Sequence, residues 1–258
     1  MEITVPEGRI VTGSLTEDER ILSGVLRHVR EAARDSNFLL PGELKLAEWL
    51  DCSRPQVRVA LAQLERQGIV IRSQGAATVV DPVALRLSAR FEASVSYGEV
   101  LARMGYTPSV EILTAETIEL PADLAPLLSP LSTNRAVKIV LRWYADDQAA
   151  MVAEYTIPLP AGEHDAIDPT DPVYESAKKL WGEGIAWEIV TAGVALLDDK
   201  YADLLQLEKG TEAKMWETIG VTLSGERIFY ALEHHHPTLV MYSFVRTMRA
   251  PWSAIPGH

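Results

Sequence analysis

Along the first third of the chain, apolar positions recur at helical spacing and then give way to short alternating runs. Ile21, Leu22, Val25, Leu26, Val29 and Ala32 make one apolar stripe, which predicts an amphipathic helix over 19–35. The LLPG segment at 39–42 breaks it. Leu44, Leu46, Ala47 and Leu50 give a short second helix its apolar side, and Asp51 and Cys52 form a turn. Ser53 is placed to cap a third helix, with Pro55 tolerated in its first turn. That helix buries Val57, Ala60, Leu61 and Leu64 and stops at Gly68. Strands at 69–73 and 78–82 flank a turn at 74–77. Three helices followed by a β-hairpin is the order of a winged helix-turn-helix.

Beyond residue 81 the pattern changes. Residues 81–94 show no clear period. A helix is expected at 97–105, ending at Gly105, then strands at 109–120, 136–145 and 149–158. A helix at 171–182 has Asp171 as its expected cap and a glycine at its end. Further strands are expected at 185–196, 214–223, 227–236 and 239–248, with a helix at 197–207. Many antiparallel-type strands with few helices indicate an α+β sheet domain. The chain divides on this reading into a DNA-binding domain with an N-terminal extension (1–82), a linker (83–95), a sheet domain (96–250) and a tail (251–258). There is no internal repeat.

Charge changes the picture only when it is located. The net charge of −12 argues against nucleic acid. Residues 1–90, however, hold 12 basic and 12 acidic side chains, so the whole acidic excess lies in 91–258. Between 52 and 90, Arg54, Arg58, Arg66, Arg72, Arg86 and Arg90 face only Glu65 and Asp81. A basic face on an acidic protein is what phosphate attraction requires. Arg86 and Arg90 either touch DNA backbone or solvate the linker. The single cysteine excludes an internal disulfide and a multi-cysteine zinc site. No apolar run has the roughly 18 residues of a membrane helix, and no secretion signal is visible, so a cytoplasmic protein is expected.

The string from Leu40 to Val80 resembles, without a gap, the DNA-binding domain of the GntR superfamily. The matching positions are Leu40, Pro41, Glu43, Leu46, Ala47, Leu50, Ser53, Arg54, Val57, Arg58, Ala60, Leu61, Leu64, Gly68, Gly75, Thr78 and Val80. A recognition helix entering the major groove brings Arg54, Gln56 and Arg58 to base edges and flanking phosphates. Ser53 and the helix-start N–H groups suit a phosphate, and Arg72, Gln74 and Gly75 lie on the wing. Two positions depart from the family. Leu44 stands where an Arg is usual, with Lys45 beside it as the basic substitute, and Ala77 replaces the second wing glycine.

The order of the remaining elements resembles the UTRA effector-binding domain of the HutC-like subfamily, which has a chorismate lyase-like fold. The resemblance rests on residues 96–109, 142–158 and 225–245. It implies effector-binding roles for Arg142, Glu154 and Ser96, with Tyr97 beside the last. Tyr144 stands where related sensors carry a second Arg. Two guanidiniums suit a phosphate dianion better than one, so a sugar phosphate is disfavoured against a monoanionic or neutral polar ligand. Glu154, on the expected neighbouring strand, either approaches Arg142 within a pocket or forms a plain cross-strand salt bridge. Glu233 and Tyr242 are further pocket candidates. His234, His235 and His236 read as a solvated strand end, or one of them as an effector contact, in preference to a metal site. The tryptophans read as core. No cofactor is expected, and no G-x-S-x-G, P-loop or H-E-x-x-H string appears.

Taken together, these features describe a homodimeric regulator on a near-palindromic operator, a repressor released by a small-molecule effector. The alternatives are an architectural or plasmid-maintenance DNA-binding protein with no effector, and a lyase-like enzyme that rests on fold analogy alone.

Overall fold

The computed structural model describes residues 7–11, 16–66, 68–73, 76–81, 96–128, 134–161 and 167–242. They fall into two compact units. One draws on Gly13–Thr107 with Met241–His258, the other on Met1–Thr12 with Pro108–Val240. The expected linker at 83–95, with Arg86 and Arg90, lies outside the described residues, as do Gln74, Gly75 and the tail.

In the first unit, α1 (Glu17–Arg34) begins with a capping box. Thr16 accepts from the Glu19 N–H and Glu19 accepts from the Thr16 N–H. Helices α2 (Glu43–Trp49) and α3 (Arg54–Arg66) follow, then β2 (Val70–Ile71) and β3 (Val79–Val80). The expected apolar stripes meet in one core, where Ile21, Val25, Val29, Leu46, Val57, Leu61, Leu64 and Ile69 are buried together. The wing strands are shorter than the alternation predicts. Residues 38–40 supply the missing bonds, with Leu40 N–H donating to Thr78 O and Val80 N–H to Phe38 O.

Helix α4 (Tyr97–Arg103) packs on α1 in this same unit. Sequence reading expects it to open the sheet domain instead. Three polar side chains of α1 tie down its C-terminal end, which is why it stays there. Ser23 Oγ donates to Ala102 O, Arg30 Nη1 to Met104 O, and Arg27 Nε to Gly105 O. These bonds satisfy carbonyls that a helix end leaves open.

The second unit is built on a seven-stranded antiparallel sheet in the order β1-β4-β5-β6-β9-β8-β7. Its members are β1 (Arg9–Val11), β4 (Pro108–Glu119), β5 (Arg135–Ala145), β6 (Gln148–Pro158), β7 (Ile185–Leu196), β8 (Glu212–Thr222) and β9 (Arg227–His235). Strand β6, at the middle, is buried along its whole length after Gln148. Helix α5 (Val173–Trp181) covers one sheet face through the Tyr174–Phe229 ring pair, beside which Tyr155 of β6 also meets Phe229. Helix α6 (Asp199–Leu205) covers the other, packing Ala202 and Leu205 on Val140 and Val152.

Three expectations need correction. Strand β1, unrecognised in the sequence because three residues carry no period, pairs with β4 in the register Arg9↔Glu111. Pro172, not Asp171, is the N-cap of α5, because the Asp171 carboxylate is engaged by Lys179 at 2.5 Å. Residues 239–242 form no strand, and 243–248 lie outside the described residues.

Gly105 measures how closely α4 and α1 approach. Its φ is +83°, and a Cβ there would stand 2.6 Å from the backbone nitrogen of Arg27. Gly105→Ala is therefore expected to cost on the order of 2 kcal/mol, read as a lower thermal midpoint; an unchanged midpoint would refute the close approach.

Candidate DNA-reading face and effector site

The start of α3 is fixed by a second capping box. Ser53 Oγ accepts from the Gln56 N–H at 3.4 Å, while Gln56 Oε1 accepts from the Ser53 N–H at 2.9 Å and from Ser53 Oγ at 2.7 Å. Gln56 Nε2 donates to Glu17, so in the free protein this side chain serves the helix start. Arg54 and Arg58, one turn apart, are more than half exposed and converge with Arg72 on Glu43, the first residue of α2. Together with Ser73, Ala76, Thr78 and Gly42 they line a cleft of about 660 Å³ between α2, α3 and the root of the wing. Burial pushes the Glu43 pKa up, but the Arg58 hydrogen bond and the charges of Arg72 and Arg54 outweigh it and leave it lowered. Lys45 lies over the Trp49 ring. Leu44 and Trp49 are exposed apolar residues on α2, so Trp49 is not core.

The sheet unit separates the expected effector residues. Directly paired residues share a face, so Arg142, Val140, Val152 and Glu154 lie on the α6 side, while Glu233 and His235 lie on the α5 side with Ala153 and Trp216. Ser96 and Tyr97 are the cap and first residue of α4, in the other unit; Ser96 Oγ accepts from the Glu99 N–H. Tyr242 also belongs to that unit.

Arg142 does not bond Glu154. Its Nε and Nη2 donate to Glu111 at 3.1 and 2.7 Å, its Nη1 donates to Leu204 O, and Tyr144 Oη donates to the same Glu111 oxygen. Arg9 of β1 lies 3.5 Å from the centroid of the Tyr144 ring. The Arg142 hydrogen bond holds the Glu111 pKa down against desolvation. Glu154 is buried and receives Lys138, Lys200 and Tyr201. Burial would raise its pKa, and these three partners instead bring it to about 2. Glu111, Lys138, Lys200 and Tyr201 escape sequence reading because only strand register and α6 docking bring them together. A groove of about 650 Å³ runs beside this cluster, between Lys138, Glu116, Asp199 and Lys200.

On the α5 side, polar groups are sunk deeper. Glu233 and His235 are 2% and 0% exposed, with His235 Nε2 3.3 Å from a Glu233 carboxylate oxygen. The Glu233 charge acts on Tyr155, Tyr174 and Glu188. Desolvation, with the Glu233 charge adding to it, raises the Glu188 pKa although Tyr174 Oη donates to it. Ser176 of α5 is fully buried, and its hydroxyl has no hydrogen-bond partner among the described residues. The histidine run is thus not a solvated strand end. His234 is buried and stacks on Tyr201 at 3.8 Å, His235 is interior, and His236 Nδ1 accepts N–H groups of the following turn. Among the described residues no three His, Cys, Asp or Glu side chains group to hold a metal.

Comparison with known proteins bears on both halves. Residues 18–80 match the bacterial regulatory proteins of the gntR family, and residues 103–240, more than half of the chain, match the UTRA domain. The chain belongs to the GntR family and carries a UTRA domain. This GntR regulator is 26% identical over 98% of its length to the HTH-type transcriptional regulator Rv0792c of Mycobacterium tuberculosis, covering 94% of that protein. It is 25% identical to the HTH-type transcriptional regulator GgaR of Escherichia coli over 55% of its length, which spans 53% of GgaR. The crystal structure of PhnF from Mycobacterium smegmatis shares the fold, with a TM-score of 0.54 and 19% identity over 82% of this chain and 92% of that one. The GntR protein is accordingly a DNA-binding transcriptional regulator, in a family of regulators and not of enzymes. None of the helices among the described residues is long and apolar enough to cross a membrane.

For this UTRA domain, Glu154 makes a pH prediction. Its pKa falls from an ordinary 4.5 to about 2 on folding, so its contribution is full above pH 4.5 and is lost as pH drops toward 2. Allowing for half-exposed Lys200, that contribution is on the order of 2 kcal/mol. Glu154→Gln should lower stability by about this much at neutral pH and flatten the acid limb of a stability-versus-pH curve; a parallel curve would contradict the assignment.

Proposed function

We propose that this regulator is a homodimeric repressor, with each winged helix-turn-helix on one half of a near-palindromic operator, released when a small molecule binds the UTRA sheet. The observation that carries the DNA half is the cleft where Arg54, Arg58 and Arg72 converge at the start of α3. A helix start bearing two exposed arginines one turn apart suits base edges and flanking phosphates in a major groove. The wing contacts would come from Arg72, Gln74 and Gly75, the phosphate contacts from Ser53 and Lys45, and an adenine contact from Gln56 once it leaves Glu17.

A second copy is supported by β7. It is an edge strand with Trp187, Ile189, Val194 and Leu196 exposed, and an apolar edge of that length is ordinarily covered. Two-fold symmetry in the protein would match the operator.

The effector site we favour lies on the α5 face around Glu233 and His235, with the buried Ser176 hydroxyl of α5 on that same helix side. Buried polar groups gathered beneath a helix cost folding energy, which a bound polar ligand offsets. Acidic Glu233 and Glu188 favour a neutral or amine-bearing polar ligand there. The guanidinium of Arg142 is already matched by Glu111, which is a further reason to disfavour a sugar phosphate. A second reading, centred on Arg142, Tyr144 and Glu154, is favoured by the groove beside Lys138 and Lys200.

Operator sequences selected from random DNA provide the test. Arg54→Ala or Arg58→Ala should weaken operator binding roughly 10- to 100-fold in an anisotropy titration; wild-type affinity would overturn the recognition-helix assignment. Once a thermal-shift screen has found a ligand that releases the operator, Glu233→Gln should abolish release and spare DNA binding. Release that survives in Glu233→Gln and fails in Arg142→Ala would transfer the site to the α6 face. Val194→Glu should shift the sedimenting species from dimer to monomer.

A further inference from the structure

The convergence of three arginines on Glu43 does more than hold the wing in place. Arg58 reaches the carboxylate through Nε at 2.7 Å, Arg72 through Nη2 at 3.2 Å and Arg54 through Nη2 at 3.6 Å. These cations come from the first residue of α3, from one turn further along it, and from the residue just after β2, while Glu43 opens α2. Glu65 also lies 3.8 Å from Arg72, so the five charges sum to +1 where the three arginines alone would carry +3. The Glu43 side chain is 20% exposed, whereas those of Arg54 and Arg58 are 53% and 59% exposed, so the carboxylate sits behind and the guanidiniums in front.

The use of Nε matters. A guanidinium bonded at Nε keeps both terminal nitrogens, the pair that meets guanine O6 and N7. Glu43 thus braces Arg58 with its reading end forward. The same carboxylate competes with any phosphate that approaches the three arginines, and it does so on every DNA sequence alike. Base-edge contacts through the terminal nitrogens are compatible with the brace, while a diffuse phosphate attraction is opposed by its charge.

We propose that Glu43 is a positioning and specificity-setting residue, which orients Arg58 for base readout and suppresses binding to DNA of random sequence. This rests on the reading that Arg54 and Arg58 face DNA. Glu43→Gln keeps the shape of the side chain and one acceptor oxygen but removes the charge.

The test compares a selected operator with a scrambled duplex of the same length and composition, across a salt series, for wild type, Glu43→Gln and Glu43→Asp. Glu43→Gln should bind scrambled DNA about three- to tenfold more tightly at low salt. The slope of log affinity against log salt should steepen by about one, and operator preference should fall about tenfold or more. Glu43→Asp, which restores the charge on a shorter stem, should return the scrambled-DNA affinity and slope toward wild type. A Gln variant with wild-type preference and slope overturns the proposal. So does one that loses operator and scrambled binding equally with a lower melting temperature, since that is the mark of a structural tie alone. Failure of the underlying reading shows separately, as operator affinity that is indifferent to Arg58→Ala.

Discussion

A strand buried on both faces governs the larger unit. Once β6 lies between β5 and β9 with ten consecutive residues removed from water, both sheet surfaces must be covered, and α5 and α6 do so with different chemistry. The carboxylate that β6 carries inward, Glu154, can stay charged only if cations and a phenol come to it, because an isolated buried charge is expensive. Lys138 from β5 and Lys200 and Tyr201 from α6 meet that demand. The polar network thereby fixes where α6 docks, and the apolar contacts of Ala202 and Leu205 with Val140 and Val152 follow.

The two faces consequently divide the labour. On the α6 side, cations and carboxylates are matched one against another, as Arg142 is with Glu111. On the α5 side the Glu233 and Glu188 carboxylates, the His235 imidazole and the phenols of Tyr155 and Tyr174 lie with few counter-charges. Matched pairs stabilise a fold, whereas buried polar groups with few counter-charges add to its cost.

How much of this was legible in the sequence depended on the range of the interaction. The three helices and hairpin of the DNA-reading unit follow from local periodicity, and Ser53 and Gly68 marked helix limits that the structure shares within a residue or two. The antiparallel sheet and most of its strands were equally visible. Side-chain partnerships were not. Alternation correctly put Arg142 and Tyr144 on one face, but the register of β4, which has a bulge near Leu113, decides that both reach Glu111. Three residues at 9–11 carry no period, so β1 was invisible. Asp171 looked like a cap until Lys179, two turns further on, claimed its carboxylate. The histidine run is hydrophilic by composition, but β9 lies between β6 and β8 and takes it inside.

Strand β1 also has a practical side. It covers the first part of the hydrogen-bonding edge of β4, from Ser109 to Glu111, which otherwise would present open amides and carbonyls. In chain order, the helices and wing of the DNA-reading unit are thus spliced between two neighbouring strands of one sheet. A fragment cut at residue 96 to isolate the sensor would take the helix that belongs to the reader and leave behind the strand that seals the sensor. Fragments intended for ligand screening are better joined from the first dozen residues and 108 onward than taken as one contiguous piece.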